Sequence, residues 1–279
     1  MEGPVCFSGV CRAVQFFMTG KRAAHDSSHS PTNERGNTSD LIIVRQPNRR
    51  RMDLWHARHQ SQIWLETVLI SESQHLVKGY TLVDETITRF NQISQHDKSN
   101  FTGRFARVCA LTTAKGRNLL LGCHSLALDG LAQESGALLR PLLESVELLT
   151  YFRLDYKRAD EAIDGRLPSA GNIAKAITGQ FQFLRDHLNE QASHFSLGFY
   201  SVFHLLDKNT MTIKPVESHS EQVLRTNLVT LSAFMSFLLL ESVGCLFVAR
   251  EDAGELADRA EQWKHNCTIL FPAALSSIP

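Results

Sequence analysis

The string RNLLLGCH, residues 117–124, contains the arginine and histidine whose types and spacing are the most suggestive of chemistry. These residue types bind anions and transfer protons. Because an α-helix turns once every 3.6 residues, Arg117 and His124 are expected on one helix face, about 10 Å apart along the axis. The polar Asn118 follows Arg117 directly. Similar pairs occur elsewhere, such as Arg89 with His96, so spacing alone does not separate a site from chance.

This string resembles the signature of the HEPN ribonucleases, which consists of an arginine, a polar residue and a histidine on one helix of a compact bundle. In that family, the pairs of two subunits meet across a dimer interface and cleave RNA without a metal. The resemblance implies that Arg117 stabilises the phosphate charge, that Asn118 orients the site and that His124 acts as acid or base.

A second and wider resemblance covers about residues 114–206, including ALLRPLLESVELLTYF, ADEAIDGRLPSAGNI and QFLRDHLNEQASHFS. This region is similar to uncharacterised bacterial all-helical proteins that share an arginine and a glutamate on one helix and a histidine near the end of another. The resemblance implies that Arg140 and Glu144 face a pocket with His194 opposite. An ordinary ion pair between residues four apart on a helix explains Arg140 and Glu144 equally well.

The motifs of common cofactor and metal sites are absent from the sequence. It contains no G-x-x-x-x-G-K-[ST], no G-x-G-x-x-G that opens a helix, no G-x-S-x-G and no H-E-x-x-H. His56 and His59 stand one turn apart without further ligands. We therefore expect no cofactor and no metal, and we expect Cys123 to pack as a small hydrophobic residue rather than to act with His124.

Composition indicates a folded globular protein without a dominant charge. Of the 279 residues 43% are hydrophobic, and the 29 basic residues balance the 29 acidic ones, so no overall field attracts nucleic acid or an anionic membrane. The six cysteines form no C-x-x-C pair, which favours reduced thiols in a cytoplasm.

Apolar residues recur at helical spacing through most of the chain after residue 51, and no strand pattern interrupts them. The sequence predicts an all-α fold, a single helical bundle over residues 52–279. Pro141 predicts a kink in the helix of ESGALLRPLLESVELLTYF, because it lacks an amide hydrogen and crowds the carbonyl of Ala137. Ser169 and Gly179 are predicted to cap a short helix.

Residues 19–51 contain only one short apolar group, Leu41 to Val44, and cannot cover a core. We expect a disordered N-terminal extension. Since helical periodicity begins near Met52, a second interpretation is that residues 1–51 are a non-native extension and that the working protein starts at this methionine. Its basic run, RQPNRRR, is more simply a solvated tail than a site for RNA or membrane.

The most apolar segment, LVTLSAFMSFLLLESVGCLFVA at residues 228–249, is long enough to span a membrane. Glu241 would then lie within the hydrocarbon, at a cost of about 2.5 to 3.5 kcal/mol. A central helix of a soluble bundle is therefore the favoured interpretation, and a membrane-attached protein is the alternative.

The sequence leads us to expect a cytoplasmic bacterial protein that acts by binding as a homodimer, and the resemblance to HEPN proteins implies a regulatory or defence-type setting. Self-association and a protein partner are the expected interactions. The main alternative is the metal-independent ribonuclease that uses Arg117, Asn118 and His124, and RNA is a partner only in that case.

Overall fold

The computed structural model describes residues 54–97, 100–189, 210, 212, 219–249 and 251–270. The predicted N-terminal extension, residues 1–51, and His194 lie outside them. The described part of the chain is 83% helical and contains no strand, so the all-α prediction is confirmed. Its helices are α1 (Leu54–Glu66), α2 (Ile70–His96), α3 (Phe101–Leu128), α4 (Ala132–Ala137), α5 (Leu139–Leu154), α6 (Arg158–Ile163), α7 (Ala170–Ala176), α8 (Gln182–Leu188), α9 (Glu221–Val248) and α10 (Gly254–Leu270).

Helix α9 is the central element, and it packs against α2, α3, α5 and α10. Its N-cap residue Ser220 accepts a hydrogen bond from the amide of Val223, which satisfies one free donor of the first turn. The core around α9 is built from aliphatic and phenylalanine side chains of all the long helices, and its largest fully buried members include Phe90, Phe105, Phe152, Phe181, Phe234 and Phe237.

Helix α9 is also the one described helix that is long and apolar enough to cross a membrane, and 72% of its most apolar window is buried within the bundle. Glu241, with 1% of its side chain exposed, accepts hydrogen bonds from Arg153 of α5 at 2.7 and 3.2 Å. Two further buried glutamates also form salt bridges with arginines: Glu72 with Arg225 and Glu147 with Arg185. Each buried carboxylate is thus neutralised by an arginine of another helix, which limits the cost of its burial.

The predicted kink at Pro141 is a break between two helices instead. Helix α4 ends at Ala137 and α5 begins at Leu139, so Pro141 lies in the first turn of α5. First-turn amides have no intrahelical acceptor, and a proline there costs no hydrogen bond. The clash between the Pro141 ring and the carbonyl of Ala137 is avoided because α4 ends at Ala137 and a new helix, α5, begins at Leu139.

Both capping residues predicted for α7 lie at the predicted positions, but the hydrogen bond predicted for Ser169 is not formed. Ser169 is the N-cap residue, but its side chain makes no capping hydrogen bond. Gly179 has a φ of +67°, the left-handed conformation that was predicted after the helix. Helix α6, which the sequence pattern did not indicate, connects α5 to the turn before α7.

Candidate functional site

Helices α2 and α3 pack side by side in opposite directions, and between them lie the residues of the first predicted site. Asp84 of α2 contacts Arg117 of α3, and Tyr80, one turn earlier on α2, contacts His124, two turns later on α3. The opposite order of these contacts shows that the two helices are antiparallel. The long apolar stripes of both helices, which face the core, fix this pairing.

Arg117 forms a two-point salt bridge with Asp84, in which its Nη2 donates to Asp84 Oδ2 at 2.9 Å and its Nε donates to Oδ1. The hydrogen bond to Asp84 raises the pKa of Arg117. The guanidinium carbon also lies 6.0 Å from the ring centre of Tyr80, within the range of a cation–π contact. The positive charge of Arg117 is therefore compensated inside this chain, and 28% of the side chain remains exposed.

His124 lies on the other side of Tyr80, with the two ring centres 6.5 Å apart and the ring planes 23° from parallel. Its Nε2 is buried and has no hydrogen-bond partner among the described residues, and the same is true of the Tyr80 hydroxyl. Burial, helped by the nearby positive charge of Arg58, lowers the pKa of His124. Burial likewise raises the pKa of Tyr80. His124 is therefore neutral at pH 7.

The structure brings two of the three predicted residues to a common tyrosine and leaves the third apart. Arg117 and His124 both contact Tyr80, which lies between them. Asn118 is exposed to solvent on the neighbouring side of α3, because consecutive helical residues point about 100° apart. Cys123 is buried, and burial raises its pKa to about 12, so its thiol is protonated at neutral pH.

A second cluster, which the sequence reasoning missed, joins α1 to the end of α3. Arg58 donates from Nη2 to Asp129 Oδ2 at 2.7 Å, to Ser125 Oγ at 2.8 Å and to the Ser125 carbonyl at 3.0 Å. Ser61 donates to the Leu128 carbonyl at 2.8 Å. These bonds fix the turn after α3, one turn from His124. No periodic signal in the sequence indicates a bond between residues so far apart.

At the second predicted site, the described residues include an ion pair within α5. Arg140 Nε lies 3.2 Å from Glu144 Oε1, which is the ordinary ion pair of residues four apart. One guanidinium nitrogen of Arg140 is buried without a partner among the described residues, and burial together with Arg185 lowers the pKa of Arg140. His194, which was predicted opposite this pair, lies outside the described residues.

The structure adds a deeper pair to this site, Glu147 of α5 and Arg185 of α8. Arg185 Nε donates to Glu147 Oε1 at 3.0 Å, and its Nη2 donates to Glu147 Oε2 and to the Ala170 carbonyl, the latter at 3.2 Å. Burial raises the pKa of Glu147 in spite of the arginine. A groove of about 360 Å³ between α3, α5 and α7 includes Glu144 and Glu147 in its lining. The sequence signal for this pair was the position of Glu147 within the otherwise mostly apolar run LLESVELL.

No group of three or more histidine, cysteine, aspartate or glutamate residues in the described ranges is arranged to hold a metal ion. Comparisons of the chain with models of known protein families, with curated proteins and with solved structures found no match.

Proposed function

We propose that this protein is a helical-bundle binding protein of regulatory type that acts as a homodimer through the outer surface of α2 and α3. The supporting observation is that this surface exposes 62% of Val77 and 38% of Leu121 close to the ion pair of Asp84 and Arg117. Exposed apolar side chains next to charged groups are a common feature of surfaces that an interface covers.

The antiparallel register places these groups together. Asp84 pairs with Arg117, and the two helices run in opposite directions. Val77 precedes Asp84 by seven residues and His124 follows Arg117 by seven, so Val77 and His124 lie at the same level along the helix pair. By the same rule, Leu121 lies at the height of Tyr80. The surface thus contains apolar groups and both signs of charge within a few helical turns.

A second copy of the chain fits such a surface by its symmetry. A two-fold interface brings the same surface from each copy together, so that each residue faces the counterpart of its neighbours. Asp84 of one copy can then approach Arg117 of the other, while Val77 and Leu121 lose contact with water. A surface that carries apolar groups and both charges is complementary to itself.

Size-exclusion chromatography with light scattering on the purified chain tests this proposal. We expect a dimer for the unaltered chain and a monomer for Leu121→Asp, which places a charge in the interface. The control is Leu154→Asp, because this leucine is also exposed, at 56%, and belongs to α5 rather than to α2 or α3. A monomeric parent chain, or a dimer that survives Leu121→Asp, would contradict the proposal.

A metal-independent ribonuclease is the second candidate, and a specific observation favours it. Arg117 and His124 share a contact with Tyr80, and His124 is neutral at pH 7, as a general base must be. This candidate requires Arg117 to exchange Asp84 for an RNA phosphate. RNA cleavage should then persist in a chelator, be lost in His124→Ala at unchanged helicity, and increase in Asp84→Asn. Retained cleavage in His124→Ala excludes the assignment.

For location, we propose a bacterial cytoplasm, with α9 acting as the core helix of a soluble bundle. The support is the burial of most of α9 and the pairing of Glu241 with Arg153. Expression followed by fractionation without detergent tests it. A chain found only in the membrane fraction would favour the alternative of a span at residues 228–249.

A further inference from the structure

A groove of about 650 Å³ runs between α2 and α10, on residues that neither predicted site uses. Two stacked aromatic rings form its floor: the imidazole of His75 and the indole of Trp263 have centres 4.5 Å apart and planes within 6° of parallel. Clefts that bind small organic ligands commonly enclose about 300 to 1,000 Å³ and are mainly apolar, so the volume is suitable for such a ligand.

The position of the indole is fixed by two features of α2. Trp263 Nε1 donates a hydrogen bond of 2.8 Å to the backbone carbonyl of His75. Gly79 lies directly against the ring, since a Cβ atom at this position would be 2.5 Å from Trp263 Cζ2. A glycine in the middle of a helix costs up to about 1 kcal/mol, and here it permits the close approach of the tryptophan. The aromatic floor is therefore rigid before any ligand arrives.

The upper walls combine apolar and cationic groups. Leu82 and Leu270 line the groove, and Ile269 beside them is 61% exposed. A ligand that covers this exposed apolar side chain removes it from water, which makes the free energy of binding more favourable. Among the described residues, the groove lining contains two charged side chains, Lys78 and Arg259, and no carboxylate.

The two cations differ in what they already bind. Arg259 Nη2 lies 2.9 Å from Glu85 Oε2, so its charge is compensated. Lys78 is exposed and forms no ion pair with a carboxylate of the described residues. Within the part of the chain that the structure describes, Lys78 is therefore a cation without an ion-pair partner next to an apolar surface.

We propose that the α2–α10 groove binds a small organic acid with an apolar body. The apolar body covers Ile269 and the edge of the Trp263 ring, and the carboxylate forms a salt bridge with Lys78. Charge-assisted hydrogen bonds to an ammonium orient such an acid, while burial of the apolar body supplies most of the affinity. This site is independent of the proposed dimer surface.

Calorimetric titration of the full-length chain with 1-naphthoate and with its uncharged counterpart 1-naphthamide tests the proposal. We expect saturable 1:1 binding of the carboxylate, and binding of the amide weaker by about tenfold, which corresponds to one lost charge-assisted bond. Absence of carboxylate binding, or equal binding of both compounds, would overturn the proposal.

Variants at exposed positions locate the site without disturbing the fold. Lys78→Gln should weaken naphthoate binding about tenfold and leave naphthamide binding unchanged, because only the salt bridge is lost. Ile269→Glu should weaken the binding of both compounds by removing the apolar wall. The matched control Lys175→Gln removes an exposed lysine of α7 and should change neither. Unchanged naphthoate binding in Lys78→Gln and Ile269→Glu would place the ligand elsewhere and refute the inference.

Discussion

Glu147 of α5 and Arg185 of α8 form a salt bridge inside the bundle, with 1% and 7% of their side-chain surfaces exposed. The bridge attaches the short helix α8 to the central helices, and the additional bond from Arg185 to the Ala170 carbonyl attaches the start of α7 at the same point. One arginine therefore holds two short helices in place.

Removal of one partner of this bridge should be costly, because the other charge stays buried without compensation. We expect Arg185→Ala to lower the free energy of unfolding by about 3 to 5 kcal/mol in a urea titration. The double variant Glu147→Leu with Arg185→Met should recover most of that loss, since it buries no charge. As a control, Glu144→Gln removes a half-exposed ion pair and should cost only a few tenths of a kcal/mol, on the order of 0.3. A mild effect of Arg185→Ala would show that the pair is not buried.

Gly79→Ala should destabilise the bundle by about 1 to 3 kcal/mol, because the added methyl group meets Met235 and Trp263. The matched control is Gly171→Ala in the first turn of α7, where a Cβ atom meets nothing within 4 Å. This control should leave stability unchanged or raise it. Thermal unfolding followed by circular dichroism measures both. A stabilising Gly79→Ala would mean that the indole does not lie against α2.

The stability of the fold should decrease as the pH falls from about 6.5 to about 4, and His75 should contribute to the decrease. Burial, with a smaller contribution from Lys78, lowers the pKa of His75 to about 4 in the folded chain. The unfolded chain takes up the proton near pH 6.5, so it gains protons first as the pH falls. The contribution of His75 is thus complete above pH 6.5 and is lost toward pH 4.

The difference between the parent chain and His75→Phe isolates this contribution, because phenylalanine keeps an aromatic ring against Trp263 and does not titrate. Urea titrations should show a steeper pH dependence for the parent chain in this window, by at most about 1.4 kcal/mol per pH unit. The variant His59→Gln, which removes an exposed histidine, should follow the parent chain. Parallel curves for His75→Phe and the parent would contradict the prediction.

The buried cysteines should resist alkylation in the native chain. Burial raises the pKa of Cys123 to about 12 and that of Cys109 well above its usual value, and Cys245 is equally inaccessible. Peptide mass spectrometry after treatment with iodoacetamide should detect these three cysteines unmodified until denaturant is added. Rapid native modification of Cys123 would show that the α2–α3 surface opens.

The elements that sequence patterns predicted well are the long ones with a continuous apolar face. The apolar segment at residues 228–249 forms most of α9, which ends at Val248. The short α6 was missed because six residues provide less than two turns of periodicity. The side-chain cap of Ser169 was wrong because cap bonds depend on side-chain rotation, which residue identity does not determine.

For the candidate sites, the sequence predicted contacts between residues of the same helix but not contacts between different helices. The shared face of Arg117 and His124, and the ion pair of Arg140 with Glu144, follow from spacing within a helix. The insertion of Tyr80 between Arg117 and His124, the salt bridge to Asp84 and the pairing of Glu147 with Arg185 depend on how separate helices pack. A single sequence contains no direct signal for such contacts.

The central position of α9 also has a consequence for synthesis on the ribosome. Helices α2, α3 and α5 emerge first, and the apolar surfaces that they turn toward α9 have no cover until residue 248 has been made. Contacts between segments so distant in sequence form slowly and leave intermediates prone to aggregation. The nascent chain is therefore expected to depend on chaperone protection until the last third of the protein has left the exit tunnel.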